Sequence, residues 1–209
     1  MKRNTVIALL ALAAAVASAP ACSQKGPFAC ISPLPAGYSL ESLDDCTVPA
    51  SFGADDFNWR GSNLTMTVFS EDLYDAVEVS RMVPGDTLVF AGSRIVVESV
   101  EESDGFLTVN GGIEEGGAYL KPYEGGTYRS LLMDDHPFYS RLGEKEVLLD
   151  DDFVIIDCGT EPSDPSDTVR TTQKPYIESL GHRSDFSELD TRVRLEGGRV
   201  VEIRRFWIP

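Results

Sequence analysis

The chain reads as a mainly β protein: an antiparallel sandwich or partly open barrel with one or two short helices. Two observations carry this. From Asn63 to the C-terminus, short runs alternate apolar and polar residues, the period of two that turns one face of a strand to a core. Between them stand Gly-Gly steps at 111–112, 116–117, 125–126 and 197–198, at the spacing of hairpin turns that need positive φ. The other arrangement that fits these runs is an α+β domain with a single curved sheet.

Taken in order, Asn63-Leu64-Thr65-Met66-Thr67-Val68-Phe69 alternates and opens the series. From Glu71 to Met82 the period changes. Leu73, Val77 and Met82 fall on one helical face, and Ser70 stands as N-cap with two acids behind it. Val83-Pro84-Gly85-Asp86 ends that helix, since Pro-Gly fits the centre of a type II turn. Thr87–Ala91 and Arg94–Val100 read as strands joined by Gly92-Ser93. Ser103-Asp104-Gly105 turns the chain into Phe106–Val109, and Asn110-Gly111-Gly112 turns it again. Ala118–Leu120 and Tyr128–Met133 are further strands, separated by Glu124-Gly125-Gly126. Glu146–Leu149 and Phe153–Ile156 flank the acidic step Asp150-Asp151-Asp152.

Residues 159–175 read as a polar loop, long for a compact domain. Amphipathic pieces follow near Tyr176–Leu180 and Phe186–Leu189. The strongest hairpin closes the chain. Residues 192–207 alternate on both sides of Gly197-Gly198, and a slip of one residue would send Val193 and Leu195 to water, which pins the register.

The N-terminus is of another kind. Lys2 and Arg3 lead into the apolar run Val6–Ala17, and small residues follow up to Cys22. This is the pattern of a secretory signal peptide. Its apolar core runs for about a dozen residues, where a membrane-spanning helix needs about 20. Two fates are open. Cleavage after Ala19 or Ala21 gives a secreted protein. Alternatively, Ala19-Pro20-Ala21-Cys22 resembles the lipobox of bacterial lipoproteins, with Ala where Leu is usual and Pro where a small residue is usual. The resemblance covers residues 1–22 and implies lipidation of Cys22. Contact with a membrane would then be through acyl chains, each buried methylene contributing about 0.8 kcal/mol. The expected organisation is a leader over 1–21, a Pro/Gly/Ser-rich tether over 22–56 carrying Cys30 and Cys46, and a single β-rich domain over 57–209.

Acidic residues number 34 against 18 basic ones, for a formal charge of −16. Such a field repels phosphate backbones and anionic lipid surfaces, which excludes nucleic acid as a partner. In an oxidising compartment the four cysteines are expected to pair, and sequence allows three connectivities. With Cys22 lipidated, the economical bridge is Cys30–Cys46, a closed loop contributing about 3 kcal/mol, and Cys158 is left free. Without lipidation, Cys22–Cys158 can staple the tether to the domain.

The chemistry on offer is sparse. Asp150, Asp151 and Asp152, with Asp157, Glu161, Asp164 and Asp167 beyond, are the candidate Ca²⁺ ligands, because that ion takes oxygen donors. The competing reading is a solvated turn that blunts aggregation. Asp134-Asp135-His136 offers a ligand or an oriented base, without a second His at zinc-ligand spacing. Cys158 as nucleophile would need His136 or His182 beside it. Tyr119, Tyr123, Tyr128, Phe138 and Tyr139 are either a stacking platform for sugar or peptide, or barrel core. No catalytic residue and no cofactor is assigned. The expectation is an exported, non-catalytic binding module for a protein, peptide or glycan. The alternatives are a hydrolase-like enzyme using Cys158 or His136, and a structural cell-envelope subunit.

Overall fold

Alternation becomes strand along the whole domain. In order, the elements are β1 (Cys30–Ile31), β2 (Cys46–Ser51), β3 (Phe57–Asn58), β4 (Asn63–Glu71), β5 (Leu73–Asp75), α1 (Ala76–Ser80), β6 (Thr87–Phe90), β7 (Ser93–Val96), β8 (Val100–Ser103), β9 (Phe106–Val109), β10 (Ala118–Tyr123), β11 (Thr127–Leu131), β12 (Tyr139–Asp157), β13 (Val169–Thr171), α2 (Lys174–Leu180), β14 (Thr191–Glu196) and β15 (Arg199–Arg205). The structure is a computed structural model that describes residues 28–132, 135–158, 168–171, 174–180, 186–206 and 208. The expected leader, Cys22, Asp134, His182 and the acids at 161, 164 and 167 lie outside the described residues.

Five strands form a ring. β2 pairs with β4, β4 with β12, β12 with β15, β15 with β14, and β14 with β2. Numbered along the chain, the ring runs 1-2-3-5-4-1, and only its third and fifth strands are parallel. This is the connectivity of a five-stranded Greek-key barrel of the OB type. Closure is partial, because β2 and β4 share only the pairs Ala50↔Val68 and Ser51↔Thr67. The parallel pair needs a crossover, and that connection carries α2, whose Ile177 is fully buried in the barrel core. Alternate residues fill the interior: Leu64, Met66 and Val68 from β4, Val193 and Leu195 from β14, Val200 and Ile203 from β15. Phe52 and Phe186 stack at 4.7 Å against the same core.

The chain between β4 and β12, together with β1, builds a second core. β5-β11-β10-β9-β8 form one sheet and β1-β6-β7 a smaller one. Tyr74, Leu88, Val109, Ala118 and Leu120 are fully buried between them.

Several expectations change. The stretch expected as a tether contains two integral strands: β1 pairs parallel with β6, and β2 is a barrel strand with Val48 and Ala50 fully buried. The helix expected from Glu71 is short, because β4 runs through Glu71 and the N-cap is Asp75. The Asp75 carboxylate accepts from Val77 N and Glu78 N at 2.9 and 3.0 Å. The β6–β7 turn sits one residue earlier, at Ala91-Gly92, both with positive φ. Asp150–Asp152 do not separate two strands. β12 runs straight through them and bulges, with Leu149 opposite Val200 and Val154 opposite Glu202.

The Cys30–Cys46 bridge does not form. Cys46 and Cys158 are free thiols, and Cys30 is disulfide-bonded outside that pair. The reason is topological: Cys30 sits opposite Thr87 in the small sheet, whereas Cys46 sits opposite Leu195 in the barrel.

Candidate functional site

The barrel ladder brings four distant residues to one outer face. Glu71, the last residue of β4, lies opposite Tyr139, the first of β12. Pro49 of β2 lies opposite Arg192 of β14. The segment 34–38 crosses this face and is pinned at both ends. Leu34 N donates to Leu73 O at 2.6 Å, and the Tyr38 hydroxyl donates to Phe69 O at 2.8 Å. Beneath it lies a cleft of about 440 Å³. Leu34, Pro35, Pro49 and Leu73 give it apolar walls, and Tyr38, Thr47, Glu71, Tyr139 and Arg192 supply its polar groups.

The Arg192 guanidinium is held from behind. Its Nη1 donates to Glu188 O and Thr191 O, both at 2.9 Å, and its Nη2 donates to the Tyr139 hydroxyl. It also lies over the Tyr139 ring, 5.0 Å from the centroid. Arginine carries five N–H donors, so part of the fork is left over. Among the described residues no carboxylate comes within ion-pairing distance of it.

Glu71 faces the same cleft in the opposite condition. Its Oε1 is buried without a hydrogen-bond partner. The nearest cation is Arg129, whose Nη1 is 4.0 Å away and whose own Nε is buried and unpartnered. Arg129 is turned onto the Tyr123 ring at 4.8 Å. Burial pushes the Glu71 carboxyl up, against the pull of Arg129 and Arg192. Burial likewise pushes up the Tyr38 and Tyr139 hydroxyls. A carboxylate, a guanidinium and two phenols among aliphatic and proline walls form a recognition set: fixed donors, an acceptor and stacking faces.

The residues singled out from sequence are dispersed. Of the five aromatics, Tyr139 alone lines this cleft. Tyr119 donates to Glu114 Oε2 at 2.7 Å and thereby holds that carboxyl below its usual range. Tyr123 is exposed under Arg129. Tyr128 packs against the second core, and Phe138 lies tilted against Phe90, ring centroids 4.7 Å apart. They make no single platform.

Asp150 spends its carboxylate on Asp152 N at 3.0 Å. Asp150, Asp151 and Asp152 join no cation cluster, and no group of three or more His, Cys, Asp or Glu that could hold a metal occurs among the described residues. Cys158 Sγ donates to Arg205 O at 3.0 Å. The backbone carbonyl of His136 accepts from Leu132 N at 2.7 Å. Neither His136 nor Cys158 lines the cleft between Glu71 and Arg192.

A second hollow, of about 670 Å³, opens beside Asp72, Ser140 and Leu142. The buried Asp72 carboxylate accepts there from Ser140 Oγ at 2.9 Å and Ala91 N at 3.3 Å.

Sequence reading missed Glu71, Arg192 and Tyr38. Glu71 resembled the start of a helix and Arg192 an ordinary outward hairpin residue, and their meeting depends on barrel closure.

Fold and site together define a mainly β protein with a partly closed five-stranded barrel and an amphipathic cleft on its outer face. The chain matches no family model, no curated protein and no solved structure.

Proposed function

We propose that this protein is an exported, non-catalytic binding module that takes a peptide or glycan segment into the cleft between Glu71 and Arg192. The cleft falls within the size range of small-ligand sites, about 300–1,000 Å³. The observation that carries the reading is the pair of incompletely satisfied charges in its walls. Buried polar groups are nearly always hydrogen-bonded, and a donor or acceptor held without a partner beside a cleft is what a ligand completes. Export is supported by the leader pattern over residues 1–21. The charge of −16 supports partners other than nucleic acid.

The test is titration of the isotopically labelled mature protein with defined short peptides and oligosaccharides, followed by amide shifts. Shifts should concentrate at residues 34–38, Tyr139 and Arg192. Arg192→Met should weaken binding about tenfold, the loss of a charged hydrogen bond of roughly 1.5 kcal/mol, with the fold retained. Binding elsewhere on the surface, or none across the panel, would sink the reading.

A further inference from the structure

Resting on that binding reading, the geometry points to the ligand class: we infer that the cleft takes a free amino acid or dipeptide as its zwitterion, carboxylate on Arg192 and ammonium on Glu71.

The argument begins with what each wall lacks. Arg192 has three of its donors committed to Glu188 O, Thr191 O and the Tyr139 hydroxyl. Those acceptors are two carbonyls and a phenol, so its charge has no carboxylate partner among the described residues. The same contacts fix the guanidinium plane, and a planar fork with donors to spare matches a carboxylate. Across the cleft, Glu71 Oε1 is buried with no hydrogen bond, its ion-pair contact being Arg129 Nη1 at 4.0 Å, so the group it lacks is a hydrogen-bond donor. One ligand that satisfies both must carry an acceptor anion and a donor cation a short distance apart.

The surroundings select among such ligands. A simple anion would complete Arg192 yet meet the overall charge of −16 and the Glu71 carboxylate. A simple cation would complete Glu71 and meet Arg192. A zwitterion has no net charge to be repelled, and each end finds its complement. Pro35, Pro49, Leu34 and Leu73 supply apolar surface for the rest of a short peptide. Tyr38, donating to Phe69 O at 2.8 Å, holds the segment 34–38 across the ladder as one wall of the cleft. A neutral glycan could hydrogen-bond both groups but would bring Arg192 no counter-charge in a half-buried site.

The experiment uses the mature full chain and a panel of glycyl dipeptides, each as the free zwitterion, the N-acetyl form and the C-terminal amide, with neutral oligosaccharides alongside. Amide shifts report binding. The expected result is a zwitterion that perturbs the cleft residues, with affinity about tenfold lower when either end is blocked. Glu71→Gln should abolish the difference between free and N-acetylated forms, and Arg192→Met the difference between free and amidated forms. Each variant keeps one discrimination, which separates lost recognition from lost folding. Blocked dipeptides binding as well as free ones, or oligosaccharides binding in their place, would overturn the zwitterion assignment and leave the binding module standing. Absence of any cleft perturbation would overturn both.

Discussion

Asp157 and Arg205 are register partners at the ends of the two parallel strands, and their side chains meet there in a two-pronged ion pair. Arg205 Nε donates to Asp157 Oδ1 at 2.8 Å and Nη2 to Oδ2 at 2.6 Å. The aspartate is fully buried and the arginine nearly so. Tyr176 from α2 donates to the same carboxylate at 3.0 Å, and the guanidinium lies 4.8 Å from the centre of the Phe186 ring. One charge pair thus ties β12, β15, α2 and the segment before β14 together at this end of the barrel.

Removing one partner leaves an uncompensated buried charge. Asp157→Ala or Arg205→Met should each cost about 3–5 kcal/mol in urea unfolding. The double variant Asp157→Leu/Arg205→Met should be more stable than either single variant, because it leaves no orphan. Additive losses would show that the pair is not coupled.

The turn between β9 and β10 depends on a close approach. A Cβ on Gly117 would lie 1.8 Å from the carbonyl oxygen of Val109, backbone that cannot swing aside. Gly117→Ala should destabilise by about 3 kcal/mol. The control is Ala at Gly37, where nothing lies within 4 Å and φ is not in the left-handed region. That change should be nearly neutral. Equal thermal midpoints for the two variants would contradict the packing of this turn.

Asp72 predicts a pH dependence. Burial pushes its carboxyl up from the ordinary value, more than the Ser140 and Ala91 hydrogen bonds pull it down. The unfolded chain therefore ionises at lower pH than the folded one. The stability this group contributes is fully present below the unfolded value of 3.8 and is lost as pH rises through the higher folded value. Asp72→Asn, which does not titrate, should compare better with wild type at pH 7 than at pH 4. The check is the difference in urea midpoint between the two proteins at both pH values. A constant difference would show that Asp72 has the same affinity for protons folded and unfolded.

The thiols are countable. Unfolded without reductant, the chain should alkylate at Cys46 and Cys158 and remain unmodified at Cys30. In the native state Cys46 should react slowly, since burial and the neighbouring Asp44 and Asp45 carboxylates push its thiol up. A Cys30–Cys46 peptide in a non-reducing digest would refute this pairing.

Much of the fold was legible. The β14–β15 hairpin fell where alternation and Gly197-Gly198 place it, because local chemistry and global pairing agree there. The Val83–Asp86 turn did likewise, with Asp86 N donating to Val83 O at 3.0 Å. β2 was hidden because Cys46–Ser51 contains Pro49 and sits in a Pro/Gly-rich stretch. The proline is tolerated where it lies, opposite Arg192, and reads as a breaker in isolation. Asp150–Asp152 were misplaced as a turn because three acids in a row look solvated, and a bulge inside a long strand solvates them equally well.

A mainly β class, most strand positions from Asn63 onward and the apolar side of each strand follow from periodicity and turn chemistry within a few residues, and these the sequence carries locally. Closure of the barrel settles that β12 serves three partners along its length, that the small sheet claims Cys30 and the barrel claims Cys46, and that Glu71 and Arg192 face one cleft. Those are long-range pairings. They are selected by which closure buries the most apolar surface, a property of the whole chain that no local window contains.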